Sequence, residues 1–147
     1  ALGGLPPSIT ETLPLIGAGG WRATQNQLPA FAQRHRVPEA TLRRMLHRYG
    51  DELPTVLASA DDDPSLLRPV DGIEAYLPVE FRFAVTHEGA LTLDDVLARR
   101  THVAIEQRDA GLPAAPAVAA LIAPLLGWSA AEQAAQVAHY AAQPRLN

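Results

Sequence analysis

The stretch from Tyr76 to Gly111, YLPVEFRFAVTHEGALTLDDVLARRTHVAIEQRDAG, decides how the chain folds. Within it Val79, Phe81, Phe83 and Val85 alternate, a period that favours a strand. The same residues also admit a helix, because Phe81, Ala84, Val85 and Glu88 share one helical face. The segment after it is less ambiguous. Thr92 and Asp95 are spaced for a capping box, in which each side chain satisfies an orphan N–H at a helix start. Leu93, Val96, Leu97, Thr101 and Ala104 follow as an inward stripe.

Helical spacing continues on both sides of this stretch. Leu28, Phe31 and Ala32 share a face, and Leu42, Met45, Leu46 and Tyr49 recur at i, i+3, i+4, i+7 before Gly50. Pro38 suits a first-turn position, where its missing N–H is not needed. A short helix from Glu52 to Ala60 buries Leu53, Val56 and Leu57 and ends at Asp61-Asp62-Asp63-Pro64. Val118, Leu121, Ile122, Leu125 and Leu126 form a strong stripe closed by Gly127. Ser129 and Glu132 make a second capping box, opening a last helix that stops before Pro144. The expected class is all-α: a small orthogonal domain of about six helices. Residues 1–25, rich in Gly and Pro, are expected to form an extended lead-in or linker, and residues 26–147 the helical domain.

Composition narrows the functions open to such a domain. At 147 residues, folding buries roughly 70% of the unfolded chain's surface, enough for an ordinary core. The absence of Cys excludes disulfides and Cys-based metal sites. A net charge of −4 argues against non-specific coating of nucleic acid or anionic membrane. All 12 basic residues are Arg, which reads as the coding bias of a GC-rich genome. No apolar run reaches the roughly 20 residues of a transmembrane helix, and Ala1 to Ile9 lacks the basic start and apolar stretch of a signal peptide. A soluble cytoplasmic domain is the default expectation.

Catalytic templates mostly fail. Gly17, Gly19 and Gly20 do not spell the dinucleotide fingerprint, and no strand-then-helix unit surrounds them. No catalytic, cofactor-binding or metal-ligating residue is therefore assigned. His102 and Glu106 sit one turn apart, which reads as a solvated pair. The aspartate run lacks the glycine and distal glutamate of a calcium loop and reads as an exposed turn. Arg99 lies four residues after Asp95, as a surface ion pair requires. Arg100 falls nearer the apolar stripe and needs a carboxylate there, with Glu80 and Glu88 as candidates. Glu80, Glu88, Asp95, Arg99 and Arg100 are thus read as an internal clamp or as a contact to a neighbouring domain.

A rival reading begins at Leu28. The stretch LPAFAQRHRVPEATLRRMLHRY has five Arg against one Glu between Arg34 and Arg48. As a helix-turn-helix it would offer Arg43, Arg44 and Arg48 to base edges and phosphates. The usual tight Gly-containing turn is missing, and an acidic stretch follows. Nucleic acid is accordingly the alternative partner.

Several motifs together resemble the carboxy-terminal helical domain of the FAD-dependent glycerol-3-phosphate dehydrogenases. They are Leu13-Pro14-Leu15-Ile16-Gly17-Ala18, Arg48-Tyr49-Gly50, the spaced acids Glu80 and Glu88, and the run Thr92, Asp95, Leu97, Arg99, Arg100, Thr101. Leu126-Gly127-Trp128 and Tyr140 complete the set. His102 stands where such sequences usually carry Arg or Lys, so a contact made there is weakened or pH-dependent. The resemblance favours helix over strand for Val79–Val85, and we expect helix. It implies a parent enzyme that oxidises glycerol 3-phosphate to dihydroxyacetone phosphate, passing hydride to FAD and electrons to a quinone or oxygen. It also implies that FAD and the substrate site belong to a preceding flavoprotein domain, the partner of this one. The parent enzyme would be cytoplasmic, or peripheral on the inner face of the cell membrane.

Overall fold

The computed structural model describes residues 9–13 and 15–144. Residues 1–8, which include most of the segment tested for a signal peptide, and Pro14 of the lead-in motif lie outside them, as do residues 145–147. The described chain is helical throughout: α1 (Trp21–His35), α2 (Glu39–Tyr49), α3 (Leu53–Ala58), α4 (Pro78–Thr86), α5 (Val103–Glu106), α6 (Ala115–Leu126) and α7 (Ala130–Ala142). A π-helical segment, Asp95–Arg100, stands between α4 and α5. Among the described residues there is no strand, only an isolated bridge between Val70 and Ile73.

The ambiguous segment Val79–Val85 lies in α4, and its alternation has a cause. At about 100° per residue, Val79 and Phe83 share one side of the helix while Phe81, Ala84 and Val85 share the opposite side. The two sides face different cores. Val79 and Phe83 join Leu28, Leu42, Met45, Leu46, Leu53, Val56 and Leu57 in one cluster. Phe81 and Ala84 join Tyr76, Leu93, Val96, Leu97, Val118, Ile122 and Tyr140 in the other. A helix buried on both sides carries apolar residues at intervals of two as well as of three and four. Pro78 at its first position supplies a preset φ without losing a needed N–H.

The ends of the elements follow local rules. Asp95 N–H donates to Thr92 Oγ1 at 3.0 Å and Thr92 N–H donates to Asp95 Oδ2 at 3.1 Å, which closes the reciprocal cap. Ser129 and Glu132 do the same at the start of α7. Gly127 ends α6 with φ of 67°, in the left-handed region that glycine enters without a Cβ penalty. Downstream of the Thr92 cap the regular helix widens. Thr101 N–H reaches Val96 O at 3.0 Å, a five-residue step, and His102 then turns left-handed at φ 60°. The inward stripe therefore passes from Leu97 to Thr101 and Val103, and Ala104 is only partly buried.

The first helix begins at Trp21, inside the stretch read as lead-in. The turn before it is held against the end of α2. Gly17 O accepts from Asp51 N–H at 3.0 Å, and Gly20 N–H donates to Asp51 Oδ2 at 2.8 Å. Gly50, at φ 58° and ψ −132°, is packed so closely that a Cβ there would lie 1.9 Å from Gly17 O. Only glycine satisfies both constraints.

Candidate functional site

Where the two cores meet, three arginines and three glutamates converge. Arg44 and Arg48 come from α2, Arg100 from the π segment, Glu80 from the first turn of α4, Glu88 from just beyond its end and Glu106 from α5. Glu80 is at the centre, with no solvent exposure. Its Oε1 accepts from Arg44 Nη2 at 2.5 Å and from Leu77 N–H at 2.9 Å. One carboxylate thus ties α2 to α4 and also satisfies an orphan donor at the N-terminus of α4. Its other oxygen faces Tyr49 Oη at 3.5 Å.

Arg44 is bonded through Nη2 alone, its Nε and Nη1 being buried without a hydrogen-bond partner among the described residues. The Arg44 guanidinium lies 4.6 Å from the centre of the Tyr76 ring, a cation–π arrangement. Burial alone would lower the Arg44 pKa, but the hydrogen bond and charge of Glu80, aided by Tyr76 and Tyr49, outweigh it and raise the value. Arg48 Nη1 donates to the carbonyl of Arg100 at 2.6 Å, and its Nη2 reaches Glu106 Oε1 at 3.2 Å. Tyr76 Oη donates to the second oxygen of Glu106. The Tyr49 hydroxyl is pushed up by burial, then by the charges of Glu80 and Glu88. The Tyr76 hydroxyl is raised by burial, then by its bond to Glu106.

Glu80 and Arg100, considered as partners from the sequence, do not meet. The Glu80 carboxylate belongs to Arg44, and Arg100 Nε donates to the backbone carbonyl of Glu88 at 2.9 Å. Glu88 Oε2 is buried without a hydrogen-bond partner among the described residues. Burial pushes the Glu88 carboxyl up, Arg100 and Arg48 pull it down, and Glu52 and Glu80 push it up again, with a raised value as the outcome. Asp95 and Arg99 stand apart from this network. Arg99 Nη1 lies 2.5 Å from Asp95 and 2.9 Å from Asp94, on the surface. Burial tends to raise the Asp95 pKa, but bonds from Leu91, Thr92 and Arg99 outweigh it and lower the value.

The arginines of the helix-turn-helix reading are engaged within the fold. Arg44 is bound to Glu80, Arg43 to Glu39 at 2.6 Å, and Arg48 to Arg100 and Glu106. Leu42, Met45, Leu46 and Tyr49 on the same helix belong to the core. Nothing favours recognition of DNA.

An open cleft of about 400 Å³ borders the network, lined by Arg44, His47, Arg48, His102 and Glu106. Glu106 bonds with Arg48 and Tyr76 rather than with His102 one turn before it. Asp62 pairs with Arg82 through two bonds of 2.9 Å, which accounts for one acid of the aspartate run. Among the described residues no cluster of His, Asp and Glu is placed to hold a metal ion, and no helix is long and apolar enough to cross a membrane. At the glycines before α1 the Gly20 N–H, one of the donors a pyrophosphate would use, is occupied by the Asp51 carboxylate.

Sequence reasoning missed Arg44, Arg48, Glu106 and Tyr76 as members of the network. Arg44 and Arg48 lie one turn apart but away from the apolar stripe of α2, so no local period marks them as buried.

The chain is 43% identical over 137 residues to glycerol-3-phosphate dehydrogenase 2 of Mycobacterium tuberculosis, which covers 93% of this chain and 23% of that protein. It is 44% identical over the same length to a glycerol-3-phosphate dehydrogenase of Mycobacterium leprae, with the same coverage. A probable mitochondrial glycerol-3-phosphate dehydrogenase of Dictyostelium discoideum is 35% identical over 121 residues, 82% of this chain and 18% of the relative. The chain therefore spans about a quarter of the length of these curated relatives. No solved structure matches it significantly. The model of one family, the C-terminal domain of alpha-glycerophosphate oxidase, matches residues 8–133. Most of the chain lies in that match and the fold is helical, so the chain belongs to the family of the C-terminal domain of alpha-glycerophosphate oxidase.

Proposed function

We propose that this chain is the C-terminal accessory domain of an FAD-dependent glycerol-3-phosphate dehydrogenase. The parent enzyme oxidises glycerol 3-phosphate to dihydroxyacetone phosphate, with FAD accepting the hydride and a quinone or oxygen the electrons. FAD and substrate are held by the preceding flavoprotein domain, and this domain packs on it as a helical cap. In the cap, Glu80 acts as an internal clamp through Arg44, and Arg100 steadies the Glu88 backbone. Asp95 and the exposed Arg99 are the members of the set open to contact with a neighbouring domain. The parent enzyme is cytoplasmic or peripheral on the inner face of the membrane. The carrying observation is that 93% of this chain aligns with under a quarter of proteins named glycerol-3-phosphate dehydrogenase.

The test is the visible spectrum of the full-length product of the native gene. A flavin spectrum bleached by glycerol 3-phosphate supports the assignment. A colourless product, or glycerol-3-phosphate oxidation by the 147-residue chain alone, sinks it.

A further inference from the structure

Seven large apolar side chains are exposed among the described residues, and four of them fall within eight positions: Ile9, Leu13, Leu15 and Ile16. Leu15 and Ile16 are 80% and 86% exposed. Scattered exposed Leu or Ile residues are ordinary, but a concentration marks a contact surface. The backbone of this stretch is not a free tail. Thr12 and Leu13 N–H groups bond back to Ile9 O, Ala18 N–H to Leu15 O, and Gly17 and Gly20 are tied to Asp51. The Gly17–Gly50 contact leaves no room for a side chain between the turn and α2. Ordering this turn costs conformational entropy, yet its apolar side chains gain no burial within the domain. The surface continues toward the polar cleft, since Trp21 lies 5.9 Å from the ring of His47, which lines the cleft beside Arg48.

We infer that the apolar side chains of Ile9, Leu13, Leu15 and Ile16, with His47 nearby, form the face by which this domain docks on the preceding domain of its own polypeptide. The inference rests on the reading of the chain as a C-terminal accessory domain. Two observations select that occupant. The matched family is a C-terminal domain and the relatives are about four times as long, so such a protein has a large further part available to cover this face. Leu15 and Ile16 directly precede Gly17, which is tied to Asp51, so these two apolar side chains are presented outward from an anchored backbone, as a preorganised interface requires. The facing surface is apolar opposite Leu15 and Ile16.

Hydroxyl-radical footprinting of the full-length gene product tests this without any substitution. Leu91 and Ile105, 69% and 79% exposed and outside the proposed face, serve as internal references. Labelling of Leu15 and Ile16 is expected to be about tenfold slower than that of Leu91 and Ile105, as for side chains in the dry centre of an interface. His47 is expected to be protected as well. Labelling of Leu15 and Ile16 at the reference rates in a flavin-containing product overturns the docking face but leaves the enzyme assignment standing. A colourless product overturns the assignment itself. Protection lost on dilution to nanomolar protein points to a second copy, and protection gained only with phospholipid vesicles points to a membrane surface. Either overturns the proposed occupant.

Discussion

Replacing Glu80 by alanine removes the one group that joins α2, α4 and the Tyr49 hydroxyl. The Glu80 side chain is fully buried and that of Arg44 is 25% exposed. Deleting one partner of a buried pair costs about 3–5 kcal/mol, because the other charge is left uncompensated. The remaining exposure of Arg44 places the expected cost near the lower end, about 3 kcal/mol. Loss of the bond to Leu77 N–H adds about 1 kcal/mol, the usual value of a helix cap. The total, about 4 kcal/mol, is a large share of the roughly 5–15 kcal/mol that stabilises a domain. With a urea slope of about 2 kcal/mol/M, the unfolding midpoint of Glu80→Ala falls by about 2 M. Equilibrium unfolding of the 147-residue chain by circular dichroism measures this. Adding Arg44→Met to the alanine variant removes the stranded charge, so stability recovers by about 1–3 kcal/mol, a non-additivity that a double-mutant cycle reads directly. Glu80→Gln keeps the oxygen that caps Leu77 and is expected to fall between wild type and Glu80→Ala. A midpoint for Glu80→Ala within about 0.3 M of wild type, or strict additivity with Arg44→Met, would refute the clamp; the first limit corresponds to well under 1 kcal/mol.

Gly50→Ala combines a backbone conformation foreign to L-residues with a Cβ 1.9 Å from Gly17 O. It is expected to cost about 3 kcal/mol and to speed hydrogen exchange at the Asp51 N–H, which a retained Gly17–Asp51 bond would contradict. Glu88 has a folded pKa above its ordinary value, so the native state binds more protons than the unfolded chain between those two pKa values. The Glu88 contribution to stability is therefore greatest below the unfolded pKa and is lost as pH rises through the folded one. Glu88→Gln should flatten that decline in a series of unfolding curves from pH 4 to 8 and should not destabilise at pH 7; an unchanged pH slope would count against it. Arg99→Ala removes an exposed ion pair and should change stability by no more than about 0.5 kcal/mol in thermal unfolding, so a loss above about 1 kcal/mol would show that Arg99 is more than a surface pair.

The fold was legible where the deciding forces are local. A cap needs only two side chains three residues apart, and Thr92 with Asp95 and Ser129 with Glu132 form theirs as the spacing requires. Gly127 and Pro78 likewise act on the backbone within one turn. The stripe at Leu42–Tyr49 follows from period alone, and that at Val118–Leu126 does so except at Leu125, which is exposed; the helix at Val79–Val85 rested on the family resemblance. The family could be read too, because order and spacing of motifs survive without any knowledge of contacts. The site was only partly legible. Glu80 and Glu88 were singled out, but Glu106 was not, and the arginine that binds Glu80 figured only in the alternative helix-turn-helix reading.

That error has a physical origin. On α2, at about 100° per residue, Arg44 falls about 150° from the centre of the apolar stripe, on the side a helical wheel assigns to solvent. What covers it is Tyr76 and the first turn of α4, more than thirty residues away in sequence, and no local period encodes that neighbour. The alternation at Val79–Val85 had the same limit: a lone helix with one buried face would not show it, and two cores on opposite sides make it necessary. Gly50 was legible as a helix stop, whereas its contact with Gly17 was not, since a close approach of two backbones is a property of the pair. The sequence by itself determined the helices, their caps and the family, through interactions that span a turn or less. Tertiary packing alone decided which arginine neutralises Glu80 and that α4 is buried on two opposite sides, because burial and charge pairing depend on what the rest of the chain brings alongside.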